Sequence, residues 1–248
     1  MVSFKKKFYL FTLKDTWFRS KPGIENLVNL RTYSFVQDSK SSKPLFCISR
    51  ETYTLISDLT QSETELEEKF SSSVKKEVRK AESEEVEFIA NQDLGYFIDF
   101  YNQFAGMKSL YQVKDSMKNA LTPDQYWITL AKYNGEILNA KLYLYDRELG
   151  IVRSFLSANK RSDDSAIKRK VGIAGKFLMA KSMYFFKEKG FTTYDFGGIA
   201  EGTTDKGLQG INEFKASFGG QKKKDLNLDS LPYYFLRKIS EKLDRRYR

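Results

Sequence analysis

The 248-residue sequence contains no histidine. That absence removes Ser-His and Cys-His catalysis and the commonest metal ligand. The single cysteine, Cys47, excludes an intramolecular disulfide, and no cysteine cluster stands in for the missing histidines, so no zinc or other metal site is expected. Its neighbours Pro44, Leu45, Phe46 and Ile48 mark Cys47 as a strand thiol in a reducing compartment rather than a nucleophile. Internal repeats and low-complexity tracts are missing too. So is any apolar run long enough to span a membrane. The start, with Lys5-Lys6-Lys7 followed by apolar Phe8 to Leu13, imitates a signal peptide. Its apolar part is only six residues, closed by Lys14-Asp15, which is too short for export. The expectation is a cytoplasmic protein, with peripheral contact at the inner membrane face as a further option.

What is present is a globular composition, 41% apolar and 15% aromatic, able to bury a core in one sizeable or two small domains. The 42 basic against 32 acidic side chains leave a net charge of +10, suited to polyanions: CoA, nucleotide sugars, RNA or an anionic membrane. Simple solubility is the ordinary alternative.

Residues Phe4 to Leu59 read as strands (Phe8–Phe11, Arg31–Val36, Leu45–Ile48, Tyr53–Ile56), with Ser39 to Lys43 as a loop. Ser62 and Glu65 form a capping box that opens one helix, striped by Leu66, Phe70, Val74, Val78 and Ala81. Val86 to Ile89 is a short strand. Helices are expected over Asp93 to Met107 and Lys114 to Leu121. Tyr126–Tyr133, Asn134-Gly135 and Glu136–Asp146 spell a hairpin. Its second strand sets Leu138, Ala140, Leu142 and Leu144 against Asn139, Lys141, Tyr143 and Tyr145 on the opposite face. Ile151 to Ala158 adds a third antiparallel strand. A long helix follows and ends at Lys187, Lys189 and Gly190, before a strand at Thr192 to Phe196. That connection is a crossover, which favours a parallel pair able to splay into a cleft. Leu231 to Arg248 reads as a basic helix with Leu236, Ile239 and Leu243 inward. The resulting division is 1–82, 83–230 and 231–248.

Three motifs carry chemistry. Arg169-x-x-Gly172-x-Ala174-Gly175 is placed at the mouth of the long helix, where free amides, a positive helix end and flanking cations would suit a pyrophosphate. A basic loop entering a core helix is the plainer reading. Tyr194-Asp195-Phe196-Gly197-Gly198-Ile199 follows, then Phe214-Lys215-Ala216-Ser217-Phe218-Gly219-Gly220. Upstream, Asp58-Leu59-Thr60 precedes Val74-Lys75-Lys76-Glu77-Val78-Arg79-Lys80-Ala81-Glu82. Asp195-Phe196-Gly197 also spells the magnesium motif of kinases, but without histidine no HRD catalytic loop can exist.

In order and spacing, these motifs resemble the FemAB-like branch of the GNAT (acyl-CoA N-acyltransferase) superfamily, over about two-thirds of the chain. The resemblance implies an α/β GNAT-like mixed sheet flanked by helices, in which antiparallel strands adjoin a splayed parallel pair. The strand-rich N-terminal part would be a degenerate second GNAT-like half. It implies transfer of an acyl group from acyl-CoA, acetyl-CoA in the first place, to an amine of an envelope precursor, nucleotide- or lipid-linked. Arg169, Lys170, Val171, Gly172, Ile173, Ala174 and Gly175 would hold the donor, and Lys215 would face the acyl group. Asp195 is a candidate base, with turn capping as its ordinary role. Lys76, Arg79, Glu201 and Phe214 are candidate substrate contacts, though Lys76 and Arg79 suit a solvated helix flank and Phe214 a core position equally well. Many GNAT enzymes carry a tyrosine acid near this helix; phenylalanine stands here, which leaves the proton donor unassigned. Two alternatives stay open: an aminoacyl-tRNA donor, and a non-catalytic basic module for RNA or anionic lipid.

Overall fold

The computed structural model describes residues 2–8, 11–18, 31–36 and 47–246, apart from 109, 111, 114–116, 118 and 119. The expected helix at Lys114 to Leu121 and the loop at Ser39 to Lys43 therefore fall largely or wholly outside the described residues. The chain forms two compact units, Met1–Thr54 with Lys223–Arg248, and Leu55–Lys222. The expected boundary at residue 82 does not coincide with either division. Leu66, Phe70 and Val74 pack with Met179, Phe186, Phe196 and Phe218, so the helices before residue 82 belong to the second unit's core.

The first unit contains β1 (Val2–Phe8), β2 (Phe11–Trp17), β3 (Arg31–Val36), most of β4 (Cys47–Asp58) and most of β10 (Gln221–Ser230), in the order β1-β2-β3-β10-β4. Strand β4 merges what the sequence reads as two strands. The helix α6 (Leu231–Arg246) packs through Tyr233, whose hydroxyl donates to Asp15 at 2.6 Å, and Arg237, paired with Asp229 at 3.2 Å. Tyr233 and Arg237 are one turn apart and set the inward face, so Ile239, about half a turn beyond Arg237, is 49% exposed rather than inward. The side chain of Leu243 is outside the described residues.

The second unit holds the site. Here α1 (Glu63–Glu68) and α2 (Ser72–Ser83) replace the single expected helix, because each has its own serine cap. Ser62 and Glu65 exchange the capping-box bonds, and Ser71 Oγ accepts from Val74 N at 3.3 Å. They are followed by β5 (Glu87–Asn91), α3 (Leu94–Met107), β6 (Tyr126–Tyr133), β7 (Glu136–Asp146), β8 (Ile151–Asn159), α4 (Ser165–Glu188), β9 (Thr193–Ile199) and α5 (Lys206–Ala216). The end of β4 and strands β9, β8, β7, β6 and β5 lie side by side in that order. The hairpin β6–β7 turns on Asn134 (φ 50°) and Gly135 (φ 77°), the left-handed pair that matches strand twist.

Strand β7 is buried along both faces after Glu136, since Asn139, Lys141, Tyr143 and Tyr145 face helix-covered space instead of water. Tyr143 packs edge-on against Phe186 of α4 at 4.8 Å and shares a 2.8 Å hydrogen bond with Tyr194. The parallel pair β8–β9 is joined only from Ile151 to Arg153, opposite Thr193 to Asp195. Beyond that point the strands part. Phe155 is an extra residue between the Leu142–Leu156 and Tyr143–Ser154 pairs, a bulge that bends β8 away. The GNAT-like α/β architecture with a splayed parallel pair is thus present.

Candidate active site

The gap between β8 and β9 opens into a cleft of 1380 Å³. Ser154, Phe155 and Ser157 line it from β8, Phe196, Gly197 and Gly198 from β9, Phe214 and Lys215 from α5, and residues of α2 and α4 from above. Gly197 holds the β9 wall in a left-handed conformation (φ 81°), and a Cβ there would lie 2.7 Å from the Ser154 carbonyl oxygen. Only glycine lets the two backbones approach so closely at the mouth of the gap.

Charge is distributed unevenly around this space. Nine basic side chains line the cleft against one carboxylate, Glu77, which is tied to Lys176 at 3.0 Å. Of these cations, Lys141 is 8% exposed, and its Nζ donates to Ser157 Oγ at 3.0 Å. Burial, together with the neighbouring Lys215 charge, pulls the Lys141 ammonium down to about 7. Lys215 sits in the last turn of α5 and donates to the Gly198 carbonyl at 2.6 Å. Burial lowers it to about 8, with Asp195 opposing the fall and Arg153 adding to it. Asn139, 3% exposed, donates through Nδ2 to Asn159 Oδ1 at 2.8 Å, while its own Oδ1 is buried with no hydrogen-bond partner among the described residues.

Asp195 has a different place from the one expected. It is fully buried, pairs with Arg153 at 2.8 Å and accepts from Gly197 N at 2.7 Å. It does not line the cleft. An Asp195 so engaged fixes the turn at Gly197 and supplies negative charge behind Lys215, which is a positioning role.

The glycine segment is also corrected. Helix α4 begins at Ser165, capped by Asp164, whose carboxylate accepts from Ala166 N at 2.7 Å. Arg169 to Gly175 therefore lie inside a 24-residue helix, not at its mouth. Their amides are in the helical ladder, and the helix start already carries an aspartate, so no pyrophosphate cradle forms at Gly172. Arg169, Val171, Gly172, Ile173 and Gly175 still reach the cleft, whereas Ala174 is core and Lys170 places Nζ over the Tyr133 ring at 3.3 Å. Lys76 and Phe214 line the cleft; Arg79 does not, and Glu201 pairs with Lys222 at 2.7 Å away from it. Missed by sequence reasoning were Lys141, Asn139, Ser157 and Arg153. No local signal marked Asn139 or Lys141, which alternate with apolar residues just as they would on a solvent-facing strand face.

Among the described residues, no cluster of three His, Cys, Asp or Glu side chains could hold a metal, and no helix is long and apolar enough to cross a membrane. The fold is similar to that of FemX among solved structures. FemX superposes with a TM-score of 0.67 at 13% identity, covering 94% of this chain and 85% of its own. L-PGS from Bacillus licheniformis gives 0.53 at 13% identity, covering 82% of this chain and 68% of its own. The C-terminal domain of a putative lysylphosphatidylglycerol synthetase from Agrobacterium fabrum gives 0.53 at 10%, covering 82% and 67%. These likenesses are of fold. No protein-family model matches the sequence, and no curated protein matches it by sequence.

Proposed function

We propose that the chain is an N-acyltransferase that moves an acyl group from a phosphate-bearing activated donor to an amine. Acyl-CoA, acetyl-CoA first, is the donor of choice, and the acceptor is an amine of a cell-envelope glycan or peptidoglycan-type precursor, nucleotide- or lipid-linked. The observation that carries this reading is the β8–β9 gap with Lys215 at its edge. A donor carbonyl seated there would develop its oxyanion beside an ammonium already oriented by Gly198, in a site that burial has partly dehydrated. The surplus of cations around the cleft suits a donor or acceptor bearing phosphates.

A second reading keeps the chemistry and changes the donor to aminoacyl-tRNA. One observation favours it: the Gly172 segment offers no free amides to a pyrophosphate, so the sequence argument for CoA loses its cradle. The fold likeness to lysylphosphatidylglycerol synthetases, whose name describes lysyl transfer to a lipid, is compatible with it. The deciding experiment offers the purified chain acetyl-CoA, longer acyl-CoAs and charged tRNA in turn, with an amine-bearing muropeptide precursor as acceptor. Free CoA released in step with acylated product supports the first reading. Acceptor-dependent deacylation of the tRNA supports the second. Salt-sensitive RNA binding with no turnover from any donor refutes both and leaves a binding module.

A further inference from the structure

Lys141 and Asn139 stand on one face of β7, two residues apart, at the inner side of the cleft. Both are more than nine-tenths buried, and each has hydrogen-bonding capacity left over. Asn139 Oδ1 has no partner among the described residues. Among the described residues, Lys141 Nζ makes one hydrogen bond, to Ser157 Oγ, and no carboxylate contributes to its electrostatics. Lys141 Nζ reaches the cleft between the apolar and cationic side chains that line it, and its unprotonated form offers a lone pair to an N–H group there. We propose that Lys141 Nζ receives the acceptor amine, with Asn139 beside it, and that Lys141 carries its proton. This rests on the acyltransferase reading and adds to it the residue that sequence reasoning left unassigned.

The step balances with one lysine. A neutral amine donates N–H to unprotonated Lys141. Its nitrogen lone pair forms the C–N bond to the donor carbonyl carbon, and the carbonyl π pair moves onto oxygen beside Lys215. The N–H proton passes to Lys141 Nζ. Collapse of the tetrahedral species breaks the C–S bond of a thioester, or the C–O bond of an ester, and the leaving atom takes the proton from Lys141. Lysine is neutral again, and no other reactant is consumed.

The surroundings support such a cycle. From α5, Lys215 faces the same space. From β8 and β9 come Arg153 and Asp195, paired with each other, and from α4 and α2 Lys176 and Glu77, also paired. The neighbouring strand β6 brings the uncharged Thr129 opposite Lys141. No carboxylate is left to hold Lys141 charged, and burial already draws it to about 7. The same cations lower the proton affinity of an incoming amine, so it binds in its reactive form. When Lys141 takes the proton, positive charge appears next to the oxyanion at the moment it forms.

The test uses the full chain with lysine labelled by ¹³C at Cε. The Lys141→Met spectrum assigns the resonance, and Lys141→Arg, which keeps the long stem and the charge, confirms it should Lys141→Met fold poorly. A titration midpoint near 7 is expected; a midpoint above 9 overturns the proposal whatever the substrate proves to be. With turnover established, kcat/KM of the wild type should lose rate below about pH 7. Both variants should fall by ~10²- to 10⁴-fold and lose that acid limb. Rescue by Lys141→Arg, or an unchanged pH profile in either variant, makes Lys141 structural and overturns the proposal alone. A midpoint near 7 without turnover by the wild type from any donor refutes the acyltransferase reading and this step with it.

Discussion

Replacing Lys141 by methionine isolates the thermodynamic consequence of burying an amine beside a second cation. The Lys141 pKa falls from the ordinary 10.5 to about 7 in the folded chain. A group so lowered binds more protons unfolded than folded between those two values, so it opposes folding most at low pH and less as pH rises. Each tenfold loss of proton affinity on folding is worth ~1.4 kcal/mol, which makes the cost about 4 kcal/mol at pH 7 and about 1.4 kcal/mol at pH 9.5. Methionine fills nearly the same volume without the charge. Lys141→Met should therefore be more stable than the wild type at pH 7, with the difference shrinking by about 3 kcal/mol on going to pH 9.5. Groups not coupled to Lys141 titrate alike in both chains, so the difference curve reports Lys141 together with its effect on Lys215. Urea denaturation of both proteins at pH 6, 7, 8 and 9.5 measures it. Parallel stability curves would refute the reasoning, since they would mean that Lys141 holds its proton equally well folded and unfolded.

Asp195→Asn leaves the buried Arg153 guanidinium without its carboxylate; a loss of ~3–5 kcal/mol is expected in denaturant unfolding. Lys215, deprived of the one neighbour that raises it, should also titrate below its present value of about 8, read from labelled lysine. Gly172→Ala should stabilise α4 by ~1 kcal/mol, because an added Cβ meets nothing within 4 Å and glycine is a poor helix former. Donor affinity, measured by calorimetry, should be unchanged by this substitution; a marked loss would restore Gly172 as a backbone contact.

Much of the second unit was legible because its signals are local. The capping box at Ser62 and Glu65, the Asn134-Gly135 turn, and the Lys189-Gly190 helix end, where Gly190 takes φ 82°, are each written within a few residues. The crossover from β8 to β9 follows from the long helix that joins two parallel strands, whereas the gap depends on the bulge at Phe155, which no local motif announces. Lys141 was not legible, because a lysine alternating with apolar residues on a strand has the same pattern whether its face meets water or a helix. Helix α4 decided that, and its contact with β7 is long-range. Arg153 and Asp195 are 42 residues apart and meet only through parallel register. The start of α4 misled for a local reason. The glycines at 172 and 175 suggested a loop, yet Asp164 is a sound N-cap eight residues earlier, and flanking helix formers carried the turn through. Strand β10, which opens with the polar run Gln221 to Asp225, gains its identity from its place between β3 and β4, with Asp225 to Asp229 paired to β3.

The central claim is that the cleft transfers acyl groups with Lys215 stabilising the oxyanion. Single-turnover acyl transfer by the wild type and Lys215→Met, from whichever donor proves active, tests it most directly. Methionine retains most of the stem and deletes the charge. The transfer rate should fall ~10²- to 10³-fold, with donor affinity changed far less, because the interaction is made chiefly in the transition state. Equal rates in the two proteins would contradict the account.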